Sequence, residues 1–177
     1  MSHYLNILVN VIPLYVYEIL LAFLCVGIIL VAIFKRKKTG RWISILLLLV
    51  YTALIYCSTV IYRVVWGISR CNLTPFWSYN KPELLVENIM NTLLFVPLGL
   101  LLSLSYHTPK WWKVLLIGVS ISVSIEVLQF FLRRGFSEVD DVMHNSLGCM
   151  IGFGLYTLVR YGSENICKSS VGALVET

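Results

Sequence analysis

The sequence predicts an all-α fold: a polytopic membrane helix bundle of about five transmembrane helices, with the N-terminus outside and the C-terminus inside. Three observations predict it. The 177 residues are 58% hydrophobic and 13% charged, with a mean hydropathy of +0.82, a composition outside the range of soluble domains. Apolar runs recur that are long enough to cross roughly 30 Å of hydrocarbon, which takes about 20 helical residues. The basic residues gather in the connections between these runs, where they orient a membrane protein, and form no basic face on a folded domain. The net charge of +5 is therefore not read as a nucleic-acid footprint.

The runs lie at Leu14 to Phe34, Ile43 to Ile61, Ile89 to Tyr106, Val114 to Leu132 and Val142 to Val159. The first is full length and lacks the basic start and short core of a cleaved signal peptide, so it is expected to remain as a span. "KRKKTGR", Lys35 to Arg41, concentrates five cations in one short loop, which places that loop in the cytoplasm. Counting from there puts nine basic residues inside against five outside. The outer face then receives a long connection, Arg63 to Asn88, and a short one, "RRGFSEVDD", Arg133 to Asp141. "HTPKWWK" is an inner connection, with Trp111 and Trp112 suited to the interfacial belt. In "TPFWSY", Trp77 and Tyr79 likewise read as anchors at headgroup level.

Polar residues inside the spans carry the functional signal. Ser122, Glu126, Gln129 and Arg133 fall on one face of the fourth run at helical spacing. Glu126 lies roughly 10 Å along the axis from Arg133, within the depth of the outer leaflet, where a lipid-facing carboxylate costs several kcal/mol. It must be protonated, paired or turned to a wet cavity, and a structural pair with Arg133 or Arg134 competes with a functional role. Asp141, Asn145, Gly148 and Gly152 repeat the spacing on the fifth run, with the two glycines forming a small-x-x-x-small contact. Glu87, Asn88 and Asn91 sit near the outer end of the third run, before Pro97 and Gly99, and Pro97 predicts a kink. The economical inference is one outward-facing polar pocket among the last three helices. Asn91 and Asn145 read as interhelical glue ahead of ligand contacts. "SEVD", Ser137 to Asp140, reads as a capping box, with Glu138 and Asp140 favouring the helix dipole.

Of five cysteines, Cys25, Cys57 and Cys149 fall within spans and Cys167 in the tail, with no C-x-x-C pair. Neither His107 nor His144 has a second nitrogen or sulfur ligand at i+3 or i+4. No metal site, disulfide framework or cofactor is expected.

The pieces "NLTPF" (Asn72 to Phe76), "NTLLFVPLG" (Asn91 to Gly99), "IEVLQF" (Ile125 to Phe130) and "SEVDDVMHNSLG" (Ser137 to Gly148) resemble the VanZ-like integral membrane proteins. The resemblance runs from about Asn72 to Tyr156. It implies a two-span region over residues 1–71, a VanZ-like domain over 72–161 and a cytoplasmic tail over 162–177. Carried over by position, the family pattern marks Asn91, Phe95, Pro97, Gly99, Glu126, Gln129, Asp141, Asn145 and Gly148. It also implies a bacterial plasma membrane location and lowered susceptibility to teicoplanin-type glycopeptides, without altered peptidoglycan precursors.

Two classes of function follow. The first is a non-enzymatic protein whose outer pocket binds a lipid-linked cell-wall precursor or a lipoglycopeptide through Asn91, Glu126, Gln129, Arg133, Arg134, Asp141 and Asn145. In it Phe95, Pro97, Gly99, Gly148 and Gly152 are structural. The two arginines suit a diphosphate. The second is an intramembrane enzyme with Glu126 as general acid or base and Asp141 as its partner. No nucleophile with an adjacent base and no phosphate-cradling glycine loop is present in the sequence, which weighs toward the first. The bilayer is the one partner implied throughout; oligomeric state is not legible.

Overall fold

The architecture was read from a computed structural model, which describes Leu24, Gly27, residues 38–106 and residues 108–175. In chain order the elements are helix α1 (Lys38–Tyr56), a π turn (Cys57–Ile61), strand β1 (Cys71–Asn72), a 3-10 turn (Trp77–Asn80), α2 (Pro82–Ser105), α3 (Trp111–Leu132), strand β2 (Ser137–Glu138) and α4 (Val139–Val175). Helix predominates, and four stretches are long and apolar enough to span a membrane: Arg41–Ile61, Leu84–Ser105, Trp111–Leu132 and Val139–Gly162. The chain is an all-α membrane bundle. Four spans, not five, are present among the described residues, because the run expected at Leu14 to Phe34 lies outside them apart from Leu24 and Gly27. The side chains of Cys25, Lys35 to Lys38, His107 and Cys167 also fall outside them.

All four described spans begin earlier than the apolar runs because backbone geometry, not hydropathy, starts a helix. Pro82 opens α2 at the first helical position, where its fixed φ suits the helix and its missing N–H costs nothing. Glu87, Asn88 and Asn91 therefore stand on helix, inside the first turns of the span. The expected capping box is corrected: Ser137 and Glu138 precede α4 as β2, paired in parallel with β1 in the register Cys71↔Ser137 and Asn72↔Glu138. The Ser137 amide donates to the Arg70 carbonyl at 3.1 Å, a partner far along the chain that local pattern does not reveal.

The two-residue ladder and the turns around it form one end of the bundle, where α1 and α3 finish and α2 and α4 begin. At that end α1 widens into the π turn. The hydroxyls of Ser58 and Thr59 both donate to the Ile55 carbonyl, at 3.0 and 2.7 Å, competing with the backbone amides for it. The ladder then closes from the Tyr62 amide to the Cys57 carbonyl at 2.9 Å.

Below this end, α2 and α4 approach to backbone contact. A Cβ placed on Gly148 would stand 2.1 Å from the Thr92 carbonyl oxygen, one on Gly152 2.1 Å from that of Val96, and one on Gly99 2.1 Å from that of Cys149. None is sterically possible. Phe95 and Leu98 are buried in this seam, with Pro97 between them. Helix α1 crosses over it: the fully buried Tyr51 donates its hydroxyl to the Leu94 carbonyl at 2.7 Å, and Arg41 Nε donates to the Ser105 carbonyl at 3.0 Å. The Tyr56 and Ser124 hydroxyls are hydrogen-bonded and join α1 to α3.

Gly148→Ala and Gly152→Ala are expected to destabilise the protein by about 1–3 kcal/mol each, the usual cost of overpacking. Gly154→Ala, where a Cβ meets nothing within 4 Å, should not. Thermal unfolding of the three variants in detergent checks the difference.

Candidate functional site

The buried stripe of α3 includes Gly118, Ser122, Glu126 and Gln129, so the face legible in the sequence is the one turned inward. Glu126 lies beyond reach of water on most of its surface and its carboxylate needs donors. One is the Glu138 amide, which donates to Oε2 at 2.9 Å, and the Ser137 side chain lies beside the same carboxylate. β2 thus does two jobs: its pairing with β1 fixes its position, and its free amide edge caps an acid inside the bundle.

Around Glu126 gather Asp141 from α4 and Glu138 from β2, both buried, with Glu87 of α2 acting on both from further off. Among the described residues, one arginine acts on all three acids. Arg63, two residues past the end of the first described span, acts electrostatically on Glu126, Glu138 and Asp141 together. Its side chain reaches inward across Gly135, where a Cβ would meet Arg63 Cδ at 2.9 Å. Gly135 also has φ +76°, so this position needs glycine for its backbone and for the passage of the arginine. Burial pushes the Glu138 carboxyl up to about 7, reinforced by Asp141, Glu87 and Asp140 and opposed by Arg63. The amide of Asn91, on α2, acts on the Asp141 carboxyl, yet its Nδ2 has no hydrogen-bond partner.

Asp140, next in the chain, serves a separate purpose. Its carboxylate accepts from the Phe76 amide at 2.7 Å, the Ser78 amide at 2.9 Å and the Ser78 hydroxyl at 2.6 Å, and Asn88 Nδ2 donates to that hydroxyl oxygen at 2.8 Å. Phe76 is held with φ 61°, a left-handed conformation that costs a non-glycine residue about 1–3 kcal/mol. The hydrogen bonds to Asp140 offset that cost. His144 Nδ1 lies 2.7 Å from the Asp140 carbonyl, which can only accept, so Nδ1 carries the proton. In neutral His144, Nε2 then accepts from the Tyr79 hydroxyl at 3.0 Å. The 3-10 turn is pinned to α4 from both sides.

Of the residues singled out in the sequence, Asn91, Glu126 and Asp141 are brought together. Asn145 lies one turn deeper, donating from Nδ2 to the Ser122 hydroxyl at 2.8 Å with its Oδ1 unpartnered. Gln129 turns to α1, donating from Nε2 to the Thr59 carbonyl at 2.9 Å, and its Oε1 is unpartnered. Arg133 and Arg134 point elsewhere. Arg133 caps α3 with φ 56° and donates to the Gly67 carbonyl at 3.1 Å; Arg134 donates to the carbonyl of Ile61. Arg63, Glu138 and the clamp on Asp140 were missed. The available signal for Arg63 was its place directly after a span, at the depth of the polar stripe.

The arrangement can hold a proton among several carboxyls, pair with a cation and offer unpartnered amide atoms to a polar group. Among the described residues, no set of three or more His, Cys, Asp or Glu side chains is grouped to hold a metal ion.

Comparison with known proteins places these features in a family. The VanZ/LLP1 family model matches residues 42–160, across the four described spans. Protein VanZ of Enterococcus faecium is 32% identical over 87 residues, covering 49% of this chain and 52% of that relative. The chain thus aligns with about half the length of the curated relative it matches. No solved structure matches it. With the family model matched over most of its length, the chain belongs to the VanZ/LLP1 family.

Proposed function

We propose that this protein lowers susceptibility to teicoplanin-type lipoglycopeptides by binding an amphipathic cell-envelope molecule at the acidic cluster, which opens to the cell exterior. The ligand is a lipid-linked cell-wall precursor or the antibiotic itself. The shared chemistry is a hydrocarbon tail in the bilayer and a polar head with a cationic amine. The observation that carries this reading is the gathering of three buried acids, Glu126, Glu138 and Asp141, from α3, β2 and α4, with the Glu138 amide hydrogen-bonded to Glu126 and Arg63 acting on all three. Among the described residues the acids outnumber the arginines acting on them, so an ammonium group on the ligand's head offsets the imbalance. Arg133 and Arg134, turned to backbone carbonyls, do not supply the phosphate clamp. Family membership supports the resistance role, and the basic loop from Lys35 to Arg41 supports a five-span bacterial plasma-membrane protein with the cluster outside.

A second reading is an intramembrane enzyme in which Glu126 moves a proton. What favours it is the placement of two buried acids, Glu126 and Asp141, on facing helices inside the bundle, an arrangement suited to acid–base work. Glu126→Gln separates the two readings, since glutamine keeps shape and hydrogen bonding but carries no titratable proton. Resistance and binding falling in parallel mark a binding site; intact binding with resistance abolished marks catalysis.

In purified protein, Asp141→Asn is expected to weaken binding of a lipid-linked precursor or of teicoplanin by roughly 30-fold or more, the effect of breaking a buried charge pair at ~2 kcal/mol or above. Titration calorimetry measures it, and unchanged affinity for both ligands contradicts the site.

Glu138 also gives the system a pH dependence. Its carboxyl loses its proton near 7, so affinity for a cationic ligand is expected to rise as pH rises through about 7. The unliganded protein moves the other way. The native state holds a proton that the unfolded chain releases near 4.5, so stability falls as pH rises from about 4.5 through about 7. Glu138→Gln should flatten both profiles, measured by calorimetry and by thermal unfolding across that range.

A further inference from the structure

Between the end of the first described span and β1 the chain turns a row of apolar side chains away from the protein. Tyr62, Val64, Val65, Trp66 and Ile68 are exposed by between 55% (Trp66) and 77% (Tyr62). Arg63, within the same stretch, is half-buried, lies over Gly135 and acts electrostatically on the acids. This is no loose loop. Val65 and Arg134 form an antiparallel bridge, the Trp66 amide donates to the Arg133 carbonyl at 3.0 Å, and the Gly135 amide donates to the Val64 carbonyl at 3.3 Å.

These bonds fix its depth. The segment starts one residue after Ile61, where the first described span ends, and is tied to residues that follow Leu132, where the α3 span ends. With consecutive Cα atoms 3.8 Å apart, Val64 to Trp66 cannot stand far from the hydrocarbon edge. The cations are at the same level. The Arg70 guanidinium lies 4.9 Å over the Trp66 ring, and Arg133, also exposed, reaches the Gly67 carbonyl. A rigid apolar ridge with an indole and two exposed guanidiniums, held level with two span ends, has the composition and the depth of a segment seated at the headgroup boundary.

We infer that residues 62–70 form a lipid-docking ridge: Tyr62, Val64, Val65, Trp66 and Ile68 enter the acyl boundary of the adjacent leaflet, while Arg70 and Arg133 bind phosphates of anionic phospholipid headgroups. The occupant is the bilayer in which the helices sit. Charge complementarity selects the anionic lipids, whose headgroup phosphates attract both interfacial arginines. Because Arg63 is carried on the same stretch, lipid seating holds that arginine against the acidic cluster. The inference does not rest on the antibiotic ligand proposed above and holds for an enzyme as well.

The test uses the full chain in proteoliposomes, comparing wild type with Trp66→Phe, an exposed and conservative change whose difference spectrum isolates Trp66 emission. That emission is expected to be blue-shifted, quenched by lipids brominated on shallow acyl carbons and shielded from aqueous iodide. Iodide quenching without bromine quenching would show a water-facing surface and overturn the docking. At equal mole fraction, brominated phosphatidylglycerol should quench Trp66 about two- to fivefold more than brominated phosphatidylcholine. The preference should vanish in Arg70→Gln/Arg133→Gln, and equal quenching by both lipids in wild type overturns the anionic-headgroup assignment.

Discussion

A carboxyl on the inward face of a membrane helix must find donors or a counter-charge, and much of one end of this bundle is arranged to meet that demand for Glu126. Its amide donor comes from Glu138, which is in place because β2 pairs with β1 from a distant part of the chain. Its counter-charge is Arg63, which passes over Gly135 and acts on it electrostatically. Removing either support leaves an acid buried among apolar helices, at a cost of several kcal/mol. The short ladder is minor as secondary structure, but the placement of Glu126 depends on it.

Adjacent acids on α4 divide two tasks. Successive residues on a helix point about 100° apart, so Asp140 and Asp141 cannot face one place. Asp140 faces the 3-10 turn and is fully used by two amides and a hydroxyl. Asp141 faces the cluster with Glu126 and Asn91. Asp140 ties α4 to the 3-10 turn, and Asp141 belongs to the acidic cluster. The same division separates the arginines: Arg133 and Arg134 donate to the carbonyls of Gly67 and Ile61, while Arg63 acts electrostatically on the acids.

Periodicity made much of this legible. The spacing of Ser122, Glu126 and Gln129 identified the buried face of α3, because a 3.6-residue period survives whatever the helix packs against. Gly148 and Gly152 identified the face of α4 that meets α2, since only small residues permit backbone contact. Ser137 and Glu138 matched a local capping pattern, yet pairing with Cys71 and Asn72 decided their structure. No local pattern encodes a partner that remote. Arg63 was passed over in favour of the Arg133–Arg134 pair because adjacency in sequence is visible and direction is not. The left-handed turns at Phe76 and Arg133 carry no glycine to announce them.

The central claim is that Glu126, Asp141 and Asn91 converge on a place reached from the cell exterior. Thiol labelling tests it most directly: Asn91→Cys in a cysteine-free chain, probed in intact cells and in inside-out vesicles with a membrane-impermeant maleimide. The account predicts labelling in intact cells that a lipid-linked precursor or teicoplanin suppresses. Labelling confined to inside-out vesicles would contradict it.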